Sequence, residues 1–182
     1  NNNGFQDPRY DIDGISLASP ASNGIPRSHY GNYSLYVGAD QMILQTGDTK
    51  DQGIGVFARV TAAPNDRSPL GFYVNGGITW KGMIPGRRDD VAGLGFAYGR
   101  IGSRSRGYDA DVAFYNPAVF SPVRTNETVL EATYAVQVTP WWTLQPDLQY
   151  VIRPSGGVPD PNNPMRMIGN AFVVGLVTQI TF

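Results

Sequence analysis

The chain has 182 residues, of which 16% are charged, and its acidic and basic side chains nearly cancel at a net charge of −1. This balance argues against a nucleic-acid binder, whose basic side chains cluster on one face, and the 41% hydrophobic content argues against disorder. With no cysteine and one histidine, disulfide frameworks and thiolate metal sites are excluded, and we expect neither a metal nor a cofactor.

The chain begins with a proline-rich stretch and continues with alternating segments. Residues 1–30, which contain Pro8, Pro20 and Pro26, predict a long loop. From residue 31 onwards apolar and polar side chains alternate with a period of two, and helical spacing is almost absent. Strands of about 11 residues are therefore predicted at 31–44, 53–63, 70–81, 91–101, 127–138, 141–152 and 170–182.

Two fold classes fit such alternation, a soluble β-sandwich and a transmembrane β-barrel. Strands of about 11 residues are long for a sandwich, but they cross a bilayer when tilted. The connections also alternate between short and long, as in outer-membrane barrels, where short turns face the periplasm. We therefore expect an all-β, antiparallel transmembrane β-barrel, with 1–30 as an extracellular loop segment and barrel strands across 31–182.

The more apolar side of the predicted strands carries aromatic residues near both ends. Two such girdles are typical of a barrel wall, because aromatic rings favour the membrane–water interface. Tyr134 is the exception and is expected in the middle of its strand. The candidates for the membrane interface are Tyr33, Phe72, Trp80, Tyr98, Trp142, Tyr150, Phe172 and Phe182.

The opposite side of the strands is polar and rich in glycine, as expected for a wet lumen. Pro146 interrupts one strand, and we expect a local bulge there that turns Asp147 into the lumen. An odd number of strands does not close a bacterial single-chain barrel, so we expect this chain to be part of a larger one. The pore-lining candidates are Asp40, Arg59, Tyr73, Asn75, Glu131, Gln145, Asp147 and Gln149.

Specific motifs follow one another along residues 30–182. They comprise Gly31–Tyr33 before Ala39–Met42, Lys81–Arg87 with Asp89 and Asp90 before Gly93–Gly95, then Glu131–Tyr134, Thr139–Tyr150 and the ending Asn170–Phe182. In this order they resemble the carbohydrate-selective porins, the OprB-like family. Thr178 departs from the family pattern, in which a more apolar residue is typical.

The resemblance implies a barrel of about 16 strands in the outer membrane of a Gram-negative bacterium, with this chain as its C-terminal portion. It implies passive diffusion of carbohydrates, of monosaccharide size, through a water-filled lumen. Sugars and outer-membrane lipid are then the expected partners, and Phe182 resembles the terminal aromatic that the barrel-assembly machinery recognises. Whether copies associate into a homo-oligomer is left open, and no nucleic-acid partner is expected.

Sugar passage would give the polar side a specific role, because sugars present hydroxyl groups and apolar C–H faces. Charge-assisted hydrogen bonds would come from Asp40, Arg59, Glu131 and Asp147, and aromatic walls from Tyr36, Phe57 and Tyr73. The alternative is that these charges pair with each other across the barrel wall. A constriction would come from 1–30 or 102–126, with Arg104, Arg106 and Arg124 as lumen charges.

Other functions have weaker support in the sequence. Ser28 and His29 are adjacent, but no third group marks a nucleophile, so we expect no enzyme. Asp89 and Asp90 are expected as solvated turn residues. Asp11-x-Asp13-Gly14 faintly resembles a calcium loop that lacks its closing Glu. A non-conducting structural or adhesive outer-membrane barrel and a soluble β-sandwich lectin remain as alternatives.

Overall fold

The computed structural model describes residues 4–182, and its largest unit is one antiparallel sheet of seven strands, β3–β8 and β11. The strand bounds are β1 (Phe5–Asp11), β2 (Pro26–His29), β3 (Leu35–Gln45), β4 (Gly53–Ala62), β5 (Leu70–Lys81), β6 (Val91–Ile101), β7 (Asn126–Thr139), β8 (Trp142–Ile152), β9 (Pro159–Asp160), β10 (Asn163–Met167) and β11 (Ala171–Ile180). One helix, α1, spans Ser103–Tyr115, and a 3₁₀ turn spans Pro154–Gly156.

All seven predicted strands are confirmed, and they lie across the sheet in chain order. Each inner strand is hydrogen-bonded to the sheet strand before it and the one after it, and the outermost strands, β3 and β11, have one neighbour each. The first of them, β3, begins at Leu35 rather than at residue 31, and β11 ends at Ile180. The interface candidates Tyr33 and Phe182 therefore lie just beyond the strands.

The connections between strands lie at two opposite ends of the sheet, the short-turn end and the long-loop end. The short-turn end holds the links 46–52, 82–90 and 140–141. The long-loop end holds the links 63–69, 102–125 and 153–170. The sheet is open along β3 and β11, since neither strand has a second neighbour among residues 4–182.

The long-loop end contains secondary structure that the period-two pattern did not predict. Within residues 4–30, strands β1 and β2 pair antiparallel, whereas the sequence predicted a loop; residues 1–3 of that segment lie outside the described residues. The predicted loop 102–126 contains helix α1. A second small hairpin, β9–β10, lies between β8 and β11.

Tyr134 lies in the middle of β7, as predicted, with five residues of the strand after it. The strands are staggered, so Tyr134 of β7 pairs with Ala92, the second residue of β6. Ala92 pairs in turn with Trp80, the second-last residue of β5. Tyr134 and Trp80 therefore share a row of the sheet, although only Trp80 lies near the end of its own strand.

The bulge predicted at Pro146 is absent. Pro146 pairs with Leu176 and Asp147 with Gly175 in one unbroken register between β8 and β11. In the seven-stranded sheet the register shifts instead at Met42/Leu44, Leu70/Phe72 and Gln137/Thr139, near strand ends. Asp147 therefore reaches its face of the sheet by the ordinary alternation of a strand.

The described residues have no buried hydrophobic core. No apolar side chain among residues 4–182 is buried, and large apolar residues such as Leu94, Phe172 and Leu176 are 64–69% exposed. A soluble β-sandwich buries its apolar face against a second sheet, so the sandwich alternative is wrong. Among the same residues, no helix has the length and hydrophobicity needed to cross a membrane.

Candidate functional site

One face of the sheet, called here the polar face, collects all eight polar candidates. Residues paired across antiparallel strands point to the same side of the sheet. The central row comprises Asp40, Phe57, Gly77, Gly95, Glu131 and Gln149. The other candidates lie an even number of residues from this row on the same strands, and they are Arg59, Tyr73, Asn75, Gln145 and Asp147.

An aromatic ring lies over a glycine in the middle of the polar face. Phe57 pairs with Gly77, and a Cβ on Gly77 would meet the ring of Phe57 at 2.8 Å. The guanidinium carbon of Arg59 is 5.6 Å from the centroid of the same ring. A groove of about 250 Å³ beside them is lined in part by Tyr73 and Glu131. The absence of a side chain at Gly77 thus makes room for the ring of Phe57 at this recess, and the guanidinium of Arg59 lies close to the same ring.

The four charged candidates of the polar face have no ionic partner among residues 4–182. No ion pair within 4.0 Å involves Asp40, Arg59, Glu131 or Asp147. The closest polar contact between two candidates is 3.5 Å, from Gln149 Nε2 to Glu131 Oε2. Within the described part of the chain, the alternative that these charges pair across the wall finds no support.

One buried carboxylate joins the β5–β6 turn to β7 at the short-turn end. Asp90 is 2% exposed and accepts hydrogen bonds from Arg87 Nε at 2.8 Å, Tyr134 Oη at 2.8 Å and the backbone N–H of Gln137 at 3.0 Å. Burial acts to raise the pKa of Asp90, but the bonds from Arg87, Gln137 and Tyr134 outweigh it and hold that pKa below its ordinary value. The sequence predicted a solvated turn residue here, and only the Arg87-x-x-Asp90 spacing signals the pair.

The opposite, apolar face carries the aromatic candidates of the strands. Phe72 and Tyr98 lie near the long-loop end with ring centroids 6.5 Å apart, and Trp80 and Trp142 lie near the short-turn end. The indole N–H of Trp142 donates to Thr178 Oγ1 at 2.9 Å. Thr178, the departure from the family pattern, therefore supplies the acceptor that an indole at an interface needs. The remaining strand aromatics of this face are Tyr150 and Phe172.

The candidate lumen charges of the long loops have other contacts. Arg124 forms a two-pronged ion pair with Asp109 of α1, with Nε and Nη2 at 2.8 Å and 2.7 Å. Arg104 stacks on the ring of Tyr10 at 4.6 Å, which joins α1 to the β1–β2 hairpin. Arg106 lies beside Arg100. Arg124 and Arg104 thus bind the loops to each other.

The other motifs of the long-loop end also have structural contacts. His29 Nε2 lies 3.1 Å from Asp7, and His29 Nδ1 lies 3.6 Å from Asp66. Burial acts to raise the pKa of Asp7, but hydrogen bonds from two backbone N–H groups and His29 hold it below the ordinary value. Asp11 accepts four hydrogen bonds from neighbouring residues, and no cluster of three metal-ligating side chains occurs within residues 4–182.

A single antiparallel sheet with one polar face and one apolar face edged by aromatics is the wall of a porin-type β-barrel. The whole chain, residues 1–182, matches the family described as carbohydrate-selective porin, OprB family. The chain belongs to this family, whose members are channels rather than enzymes. Membership confirms the resemblance stated above and the predicted location in the outer membrane of a Gram-negative bacterium.

Individual relatives agree with the family assignment. The chain is 27% identical to Porin B of Pseudomonas aeruginosa over 166 residues, which cover 86% of this chain and 34% of the relative. It is 23% identical to the putative porin QuiX of Acinetobacter baylyi over 171 residues, 87% of this chain and 36% of the relative. The chain is also similar to the high-pH structure of Pseudomonas putida OprB, with a TM-score of 0.85 at 24% identity. The match covers 97% of this chain and 41% of the OprB chain. The chain thus spans about a third of these curated relatives.

Proposed function

We propose that the chain forms part of the wall of an outer-membrane channel through which carbohydrates of monosaccharide size diffuse passively. The observation that carries the proposal is the polar face, on which Asp40, Arg59, Asn75 and Glu131 share one side of the sheet. The opposite face is apolar and faces lipid. The family described as carbohydrate-selective supplies the substrate class.

The recess at Phe57 suits a sugar better than it suits a simple ion. The ring of Phe57 offers an apolar surface for C–H groups, and Arg59 stands 5.6 Å from its centroid. Asn75 pairs with Arg59 on the next strand, and its buried Oδ1 has no hydrogen-bond partner within the described residues. The planar guanidinium of Arg59 has five N–H donors in a fixed fork, so it can bind two hydroxyl groups of one sugar at once.

Passage does not require any covalent step by the protein. The unpaired charges of the polar face exchange their hydrogen bonds with water for bonds with sugar hydroxyls, so the net free energy of each contact is small. Small net energies at several successive contacts allow a sugar to leave as readily as it enters. A single tight site would slow diffusion, because each 1.4 kcal/mol of extra affinity slows release about tenfold.

Liposome swelling with the full-length protein tests the proposal. Glucose and an amino acid of similar size are compared for the unaltered protein, for Arg59→Ala and for Arg88→Ala. Arg88 is the matched control, since it is an exposed arginine of the short-turn link 82–90. We expect faster entry of glucose than of the amino acid, with this preference reduced in Arg59→Ala and kept in Arg88→Ala.

The other outcomes separate the competing functions. Equal rates for both solutes in every variant would indicate a general porin and contradict the sugar preference. No swelling by a barrel that shows heat-modifiable migration would favour the non-conducting structural or adhesive barrel. Recognition of Phe182 by the barrel-assembly machinery stays a prediction of the same proposal, and its test is outer-membrane assembly of Phe182→Ala.

A further inference from the structure

A small pocket opens on the apolar side of the sheet at its long-loop end, where β6 runs into α1. Its volume is about 190 Å³, room for several waters at ~30 Å³ each. Asn65, Phe72, Arg100, Ser103 and Arg106 line it. Phe72 and Arg100 pair across β5 and β6 and therefore point to the same, apolar face. The pocket therefore borders the apolar face, while Ile101, which also lines it, lines a second pocket together with Tyr73 of the polar face.

The pocket has an excess of positive charge. Neither Arg100 nor Arg106 has a carboxylate within 4.0 Å among residues 4–182. Nε of Arg106 is buried and makes no hydrogen bond to any described residue. A buried guanidinium N–H without an acceptor is costly, because water no longer compensates it. An anion in the pocket would remove that cost.

The acidic side chains near the pocket form ion pairs with arginines outside it. Asp66, next to Asn65, is held by Arg67 at 3.0 Å, and Asp109 of α1 is held by Arg124 at 2.7 Å. Neither carboxylate is therefore free to neutralise the two pocket arginines. Among the described residues, the pocket therefore keeps its positive charge.

The start of α1 adds to the positive potential. The first-turn N–H groups of a helix have no acceptor within it, and Asn65 Oδ1 accepts one of them, that of Ser103, at 2.9 Å. The first turn of α1 contains no acidic residue, although the helix dipole favours negative charge there. Instead it contains Arg104 and Arg106, so the helix end and the arginines repel one another unless an anion lies between them.

The position of the pocket relative to the membrane surface indicates which anions can reach it. Phe72, which lines the pocket, forms an aromatic pair with Tyr98 at 6.5 Å on the apolar face. Outward aromatics of a barrel lie at the level of the lipid headgroups. We propose that this pocket binds a phosphate group, with Arg100 and Arg106 as its charged ligands. The phosphate comes either from a lipid headgroup or from free phosphate in the medium.

Two probes applied to the full-length protein test the site and distinguish the two sources. In the first arm, native mass spectrometry compares retention of phosphatidic acid with that of phosphatidylcholine, after extraction from vesicles that contain both lipids. In the second arm, inorganic phosphate is titrated by calorimetry in phosphate-free detergent buffer. The test variant is Arg100→Gln/Arg106→Gln. The control variant, Arg88→Gln/Arg153→Gln, also removes two positive charges, but from links that do not line the pocket.

We expect at least a tenfold loss of phosphatidic acid retention in the test variant and none in the control, because charge-assisted bonds are the strong ones. Glucose swelling should be unchanged in Arg100→Gln alone, which separates this site from the channel. The same arginine dependence seen with inorganic phosphate alone would identify free phosphate as the ligand. The proposal would be overturned if both double variants retained phosphatidic acid equally and calorimetry detected no binding of inorganic phosphate. If the double variant does not fold, Arg100→Gln alone should still weaken binding severalfold, and an unchanged affinity would overturn the proposal equally.

Discussion

Replacement of Asp90 by alanine should destabilise the short-turn end of the wall by about 3 kcal/mol. The change removes the acceptor of Tyr134 Oη at 2.8 Å and of the Gln137 backbone N–H at 3.0 Å. Each buried donor left without an acceptor costs ~1–3 kcal/mol. The ion pair with Arg87 adds less, because its side chain is 42% exposed and finds water when the carboxylate is gone.

The same carboxylate predicts a dependence of stability on pH. Because the folded pKa of Asp90 lies below its unfolded value near 3.9, folding favours the ionised form. Its contribution to the free energy of unfolding is therefore fully present above that unfolded pKa. The contribution is lost as the pH falls below it and through the folded pKa. Asp90→Ala should lack this part of the acid sensitivity, since it carries no titrating group there.

Denaturant unfolding of the full-length protein in lipid vesicles, followed by tryptophan fluorescence, measures both effects. Asp89→Ala is the matched control, because Asp89 is the neighbouring residue of the same turn, its side chain is 59% exposed, and its one ion pair within residues 4–182 is with Lys81, at 3.9 Å. We expect the unfolding free energy of Asp89→Ala to change by less than ~0.5 kcal/mol. If Asp90→Ala matched Asp89→Ala at neutral pH, the buried network would contribute nothing and the reasoning would be refuted.

Two further changes test single contacts of the sheet. Thr178→Val removes the acceptor of the Trp142 indole and should cost about 1 kcal/mol in the same unfolding assay, whereas Thr178→Ser should restore it. Gly77→Ala places a Cβ 2.6 Å from the carbonyl oxygen of Leu94 and 2.8 Å from the ring of Phe57, so strand or ring must move. We expect a loss of about 1–3 kcal/mol together with reduced glucose swelling, and an unaltered swelling rate would separate the recess from transport.

The strands and their faces could be predicted because the environment of each face determines which residue types alternate along a strand. Lipid on one side and water on the other impose a period of two, and that period is visible without any partner. It placed Asp40, Arg59 and Glu131 on one face, as the pairing register has them. The stagger between strands is not visible in this way, so the sequence does not show that Tyr134, in the middle of β7, shares a row with Trp80.

Helix α1 could not be predicted, because nothing in its own sequence marks it. Its apolar residues follow no helical stripe, and its first turn contains Arg104 and Arg106, which the helix dipole disfavours. The stabilising contacts come from far along the chain. Asp111 accepts hydrogen bonds from Arg9 Nε at 2.8 Å and from Ser16 Oγ at 2.6 Å, about a hundred residues away in sequence. A local pattern contains no information about such partners.

Arg59 differs from three arginines of the links in what its guanidinium contacts. Arg67, Arg87 and Arg124 lie in links, and each forms a two-pronged pair with a carboxylate of the described chain. Arg59 lies on the polar face and has no carboxylate within 4.0 Å among residues 4–182. A guanidinium that is paired with a carboxylate has most of its N–H donors already bonded, so few of them are available to a passing solute. Under the proposed function, the unpaired Arg59 has donors left for a solute, and solute preference should therefore respond to Arg59 far more than to Arg67, Arg87 or Arg124.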